Sequence, residues 1–303
     1  MAHLARPKPT HHQAFTLVEL LVVIGIISVL ISILLPTLSK VRQQAAATKC
    51  AANQRGLAQA WTMYCESNKG YSPPGRMPYR SQTGDVWSLG NEEAYRPRWY
   101  ELLGAMVKKY AIAKPFTQET DNWQVESEWF MCPSVPEWTN SRNFPFGYNY
   151  QFLGNTQAKP GGGFVNYPVK NSSIKAGDTV MAADSAGTAA RLAIAQRKGY
   201  YADGTRDPDA MGNKGWALDP PQLTGASDFA DGAASGDPRR SGPDARHGGK
   251  VNVAFCDGSV RRMSIEEMGY IIEPGGAIAY SNPKATNRYF SGRGMHMDPP
   301  PRQ

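Results

Sequence analysis

From Phe15 to Pro36 nearly every position is apolar: FTLVELLVVIGIISVLISILLP, with Glu19 as the only charge. A run of this kind predicts a helix, and at 1.5 Å per residue its Leu17–Leu35 part is about 28 Å long, enough to cross a hydrocarbon core of ~30 Å. The pattern then changes. From Leu38 to about Tyr64 the chain is rich in Ala, Gln, Lys and Arg, and Cys50, Leu57, Trp61 and Tyr64 recur at helical spacing. This predicts one long helix, apolar on all sides in its first half and amphipathic in its second, with a kink at Pro36. The turn-rich SNKGYSPPG (67–75) ends it.

Beyond the helix the periodicity weakens. A short helix is expected around Trp99 to Tyr110, and the apolar VMAA before Asp184 reads as a buried strand. Val251, Val253 and Phe255 alternate with Asn252, Ala254 and Cys256, and Asp257-Gly258 follows at once. An Asp-Gly pair between alternating runs is the strongest short-range hairpin signal. Residues 196–245 are rich in Gly, Asp and Pro and read as a long surface excursion, while the segment from Pro274 to Gln303 reads as a poorly ordered tail. The fold class is therefore α+β: a long helix packed on a loop-rich antiparallel sheet. The expected organisation is a leader at 1–14, a membrane helix at 15–36, its amphipathic continuation at 37–66, a head at 67–273 and a tail at 274–303.

Composition supports a folded head. There are 30 glycines and 23 prolines, which means many loops, but 14 Tyr, 10 Phe and 7 Trp can fill a core. The formal charge of +7 is scattered, with no Lys/Arg run longer than two, so nucleic acid is not an expected partner.

A cleaved secretory signal has a shorter apolar core, about 7–15 residues, and a small-residue cleavage site, so a retained helix fits better. Glu19 still needs a reason, because a carboxylate in a membrane helix costs several kcal/mol unless it is paired. A basic leader with Arg6 and Lys8, then Ala14, then FTLVEL, resembles the type IV prepilin signal of pilins and type II secretion pseudopilins. The resemblance implies cleavage by prepilin peptidase between Ala14 and Phe15, with N-methylation of Phe15. It also implies that Glu19 neutralises a neighbouring subunit's amine during assembly and that Pro36 kinks the helix. The family's usual residue before the cut is Gly, and here it is Ala14. The same resemblance places the chain in the inner membrane as a single-pass protein, its N-terminus cytoplasmic before cleavage and its head outside the cytoplasm.

His247, nine residues and then Asp257-Gly258 resemble the H-X9-DG motif of a planctomycete-type pilin-like family, and KCAANQRGLAQAWTMY, FMCPS and FGYNYQFLG resemble its other segments. A His–Asp catalytic dyad does not follow. An extended strand rises ~3.3 Å per residue, which sets His247 and Asp257 roughly 30 Å apart at opposite ends of one hairpin. Asp257 is then a turn residue. His247 falls near Asp244, Glu266 and Glu267, as a structural hydrogen-bond partner or a metal ligand, and Asp184 could join either end of the hairpin.

Asp203, Asp207 and Asp209 crowd carboxylates suited to Ca²⁺, although Pro208 stands where an EF-hand loop needs Gly. A solvated acidic loop is the plainer reading. Cys50 and Cys65 would lie ~22 Å apart on one helix, too far for a disulfide. That leaves Cys50–Cys132 with Cys65–Cys256, Cys50–Cys256 with Cys65–Cys132, or four thiols. The H-X9-DG resemblance favours the first pairing.

No catalytic motif is present: there is no G-x-S-x-G, H-E-x-x-H or phosphate-binding loop, and His11 and His12 lie in the leader. The expected function is a non-enzymatic subunit that assembles with itself and other pilin-like subunits into a type II secretion pseudopilus or type IV pilus-like filament. The alternative is a membrane-anchored module whose aromatic loops bind glycans, surfaces or secreted cargo.

Overall fold

The computed structural model describes residues 17–78, 86–90, 93–112, 124–135, 140, 142–158, 164–200, 207–225, 227, 240–279 and 282–300. Its helices are α1 (Leu17–Ser67), α2 (Trp99–Met106) and α3 (Tyr150–Leu153). Its strands are β1 (Val86–Ser88), β2 (Glu93–Tyr95), β3 (Phe146–Tyr148), β4 (Gly154–Ala158), β5 (Phe164–Pro168), β6 (Val180–Gly187), β7 (Gly242–Pro243), β8 (Val251–Phe255), β9 (Val260–Met263), β10 (Ile271–Ile272) and β11 (Ile278–Ala279). The chain divides into two units, Met1–Gln44 and Ala45–Gln303.

In the first unit α1 continues through Pro36, which withdraws the amide that the Ser32 carbonyl would accept. The large apolar side chains from Leu17 to Val41 are exposed among the described residues. The polar interruptions are satisfied locally: Ser28, Ser32 and Thr37 donate to the carbonyls of Ile24, Val29 and Leu34, each at 2.7 Å. A helix with every backbone group bonded within itself is what a hydrocarbon environment requires. It is also long and apolar enough to cross a membrane.

In the second unit the rest of α1 buries one face: Ala47, Cys50, Gln54, Leu57, Trp61 and Cys65, spaced three and four apart, with Asn53, Ala58 and Ala60 beside them. Trp61 Nε1 donates to the Tyr148 hydroxyl at 3.2 Å, and that hydroxyl donates to the Pro73 carbonyl at 3.0 Å. Tyr148 stacks on Trp99 (5.2 Å between centroids) and Phe144 on Tyr100 (4.0 Å), building the aromatic core that the composition allowed.

The sheet runs β3-β6-β8-β9, all antiparallel, and the short β7 pairs with β6. β6 is its centre and is buried along its whole length, as expected for VMAA, but it continues past Asp184 to Gly187. The β8–β9 hairpin forms as read. Gly258 takes φ +85°, and Ser259 N–H donates to Asp257 Oδ1 at 2.8 Å, so Asp257 is the turn residue.

Two expectations are corrected. The segment from Pro274 is not a loose tail in its described part: Phe290 is fully buried, Val180 N–H donates to the Tyr289 carbonyl, and Asn287 bonds to Gln222 and Met297. Its few apolar residues plug the far side of the sheet, a long-range fit that local composition does not reveal. Nor is 196–245 wholly a surface excursion. Ala217 bridges to Tyr148, and Leu218 and Asp219 are buried.

Candidate functional site

Four buried side chains from four separate elements converge beside the sheet. Cys50 comes from α1, Cys132 from the turn after a short 3-10 segment (Glu128–Phe130), Asp184 from β6 and His247 from the connection between β7 and β8. Their ligand-type atoms all lie within 4.8 Å of one another.

Local sequence sets each position. Cys50 sits on the buried stripe of α1. Cys132 follows Phe130, whose ring is locked in the aromatic cluster. Asn53 Nδ2 donates to the carbonyls of Glu128 and Met131 and so fastens the Cys132 turn to the same helix. His247 enters where Gly248 and Gly249, both at positive φ, turn the chain into β8. Its backbone is held by Lys250 and by Arg262, whose guanidinium donates to the His247 carbonyl at 2.6 Å.

Asp184 is the hub. Oδ1 accepts from Gln54 Nε2 at 2.9 Å and from the Cys50 thiol at 3.2 Å. Oδ2 accepts from the Asn252 backbone N–H at 2.7 Å and lies 3.4 Å from His247 Nε2. Asn252 also reaches α1, donating through Nδ2 to the Ala47 carbonyl. A fully buried carboxylate is tolerable only with such a set of donors.

The electrostatics follow from crowding. Burial, hydrogen bonding to Cys132 and the Asp184 charge push the Cys50 thiol far up. Cys132 moves the other way, to about 5, through its hydrogen-bond coupling with Cys50 and, against the opposing effect of burial, through His247 and Arg246. Burial alone would lower His247, but hydrogen bonds and charge from Asp184 and Cys132 outweigh it and raise the imidazole to about 9. Arg246 is buried against Asp244 at 2.9 Å, and burial's downward pull is overcome by Asp244, Asp184 and the two cysteines.

Cys132, His247 and Asp184 carry the residue types of a nucleophilic triad, but not its geometry. In a triad the base uses one ring nitrogen for the nucleophile and the other for the carboxylate. Here both Cys132 (3.6 Å) and Asp184 (3.4 Å) face the same atom, Nε2, while Nδ1 faces Ser134 Oγ at 3.4 Å. Cys132, Asp184 and His247 are buried, while Ser134 is exposed. The arrangement converges on a point instead of relaying along a line.

Among the residues expected to matter, His247 and Asp257 are separated as reasoned, and the partner of His247 is Asp184, not Glu266 or Glu267. Glu267 instead bonds Lys250 and the Ser264 amide. The four cysteines are thiols in this structure. Cys50 and Cys132 share the buried cluster, and burial, with the neighbouring Cys65, pushes the Cys256 thiol up. Of the acidic trio, Asp203 lies outside the described residues. Asp207 pairs with Lys198 at 2.7 Å and Asp209 with Arg191 at 3.1 Å. Ala14 and Phe15 also lie outside the described residues, and Glu19 stands in the first turn of α1. Gln54, Asn252 and Arg246 were not legible as site residues. An amide on a helix and an asparagine in an alternating strand carry no motif.

Residues 10–35 match the family description "Prokaryotic N-terminal methylation motif". No curated protein and no solved structure matches the chain. The motif supports a pilin-like subunit whose apolar helix associates with membrane and with other subunits.

Proposed function

We propose that this chain is a structural subunit of a type II secretion pseudopilus or type IV pilus-like filament. In this reading prepilin peptidase cuts between Ala14 and Phe15, Phe15 is N-methylated, and Glu19 neutralises the amine of an adjacent subunit. Pro36 loosens the helix where it leaves the apolar zone, and the head stands outside the cytoplasm. The observation that carries the proposal is the N-terminal methylation motif running directly into a helix whose large apolar side chains from Leu17 to Val41 are exposed. Such a surface is stable only in lipid or against other apolar helices. The site supports the non-enzymatic reading, because its reactive groups are enclosed and face one another.

N-terminal sequencing and mass analysis of the membrane-extracted protein test this. The expected product begins at N-methyl-Phe15. An intact Met1, or a cut well after Leu35, overturns the proposal.

A further inference from the structure

We propose that Cys50, Cys132, Asp184 and His247 bind one zinc ion, which fastens α1 to the sheet. The inference goes beyond assembly and is independent of it, since it concerns only the unit Ala45–Gln303.

Geometry carries it first. Zinc takes four ligands in a tetrahedron, at ~2.3 Å for sulfur and ~2.0–2.1 Å for nitrogen or oxygen, so neighbouring ligand atoms lie about 3.3–3.8 Å apart. The separations are 3.2 Å from Cys50 Sγ to Asp184 Oδ1, 3.4 Å from His247 Nε2 to the other carboxylate oxygen, Oδ2, and 3.6 Å from Cys132 Sγ to His247 Nε2. The widest pair, within 4.8 Å, needs to close by roughly 1 Å, a shift that side-chain rotation supplies. Two partners facing one imidazole nitrogen is poor hydrogen-bond design, but groups that ligate a common metal ion are arranged in this way.

Donor chemistry is the second argument. Two thiolates, an imidazole and one carboxylate favour zinc over calcium or magnesium, which take oxygen. The enclosure leaves no open position, as in structural and not catalytic zinc sites. Outer-shell partners are in place: Gln54 and the Asn252 amide hold Asp184, and Ser134 faces the other nitrogen of His247.

Redox chemistry is the third: metal binding requires only that the ligands give up their protons. No oxidant is needed, in contrast to a Cys50–Cys132 disulfide, which requires removal of two electrons.

The test uses the full-length protein purified in detergent without chelator. Elemental analysis should find about one zinc per chain, removable by chelator and restored by zinc alone. Cobalt substituted for zinc should give the intense visible bands of a tetrahedral thiolate site. Cys132→Ser and His247→Ala should abolish stoichiometric zinc, and Cys256→Ser should retain it. Gln54→Ala, which keeps all four ligands, should weaken zinc affinity about 10- to 100-fold, so that a result remains even if the ligand variants misfold. Failure of the metal-free protein to take up zinc or cobalt overturns the proposal, as does a Cys50–Cys132-linked peptide under non-reducing conditions or full zinc retention in Cys132→Ser. None of these outcomes alters the N-terminus, so this proposal and the assembly proposal fail separately.

Discussion

The thiol of Cys50, in the third quarter of α1, lies 3.2 Å from Oδ1 of Asp184 in the central strand, across 134 positions of sequence. That contact joins the stem to the middle of the sheet, and the rest of the buried cluster is arranged around it. Cys132 and His247 close the other sides, and Gln54 and Asn252 fix the carboxylate between them.

Asp184→Ala removes the acceptor for four groups at once. Gln54 and the Asn252 amide lose a buried partner, and His247 loses its counter-charge. A destabilisation of about 3–5 kcal/mol is expected, the scale for breaking a buried ion pair by removing one member. Urea unfolding followed by tryptophan fluorescence measures it, and a loss under 1 kcal/mol would remove Asp184 from the hub role.

The metal-free protein should show a particular pH dependence. His247, raised in the folded state to about 9, contributes stability that is complete below its unfolded value near 6.5 and is lost as pH rises through 9. Cys132, lowered to about 5, contributes stability that is complete above its unfolded value near 8.5–9 and is lost as pH falls through 5. Between about 6.5 and 9 the two trends oppose and the cluster's contribution is nearly level; from about 6.5 down to 5 it declines. In Cys132→Ser only the histidine term remains, so stability should now fall as pH rises above 6.5. Denaturant midpoints across pH 5–9 test the change of sign.

Asp257→Ala should cost only about 1 kcal/mol, the loss of the Asx contact to Ser259 at the hairpin turn. Zinc content and the near-ultraviolet signal of the core should not change. If this variant instead empties the cluster, the separation of His247 from Asp257 is wrong in substance.

Gly56 is where a ring lies against the helix. A Cβ there would sit 2.6–2.8 Å from the indole of Trp129. Gly56→Val should destabilise by about 1–3 kcal/mol through overpacking, despite the better helix propensity of its replacement. Thermal unfolding of the purified variant checks the sign, since a stabilised Gly56→Val would show that the indole moves aside freely.

Glu19→Ala should leave the head folded and abolish co-assembly. Cross-linking between subunits in membranes reads this out. Unchanged cross-linking would favour a simple anchor carrying a binding module.

The sequence by itself determined the elements whose signals are local. A long apolar run is most stable in lipid or against other helices, so Phe15 to Pro36 pointed to a helix, described from Leu17, that is long and apolar enough to cross a membrane. The Cys50, Leu57, Trp61 spacing announced a docked face, and Asp257-Gly258 announced its turn because only a few residues make that backbone cheaply. What tertiary structure alone decided was where those faces meet. Asp184 was a strand residue with two possible ends to join, and only the pairing of β6 with β8 and the docking of α1 brought it to Cys50 and His247. The described part of the C-terminal segment shows the same limit: nothing in its composition required Phe290 to be buried or Tyr289 to receive the Val180 amide. Short-range pattern fixes periodicity and turns, because these depend on neighbouring torsions and side chains. Convergence of Cys50, Cys132, Asp184 and His247 depends on packing across nearly 200 residues, and no local pattern encodes it.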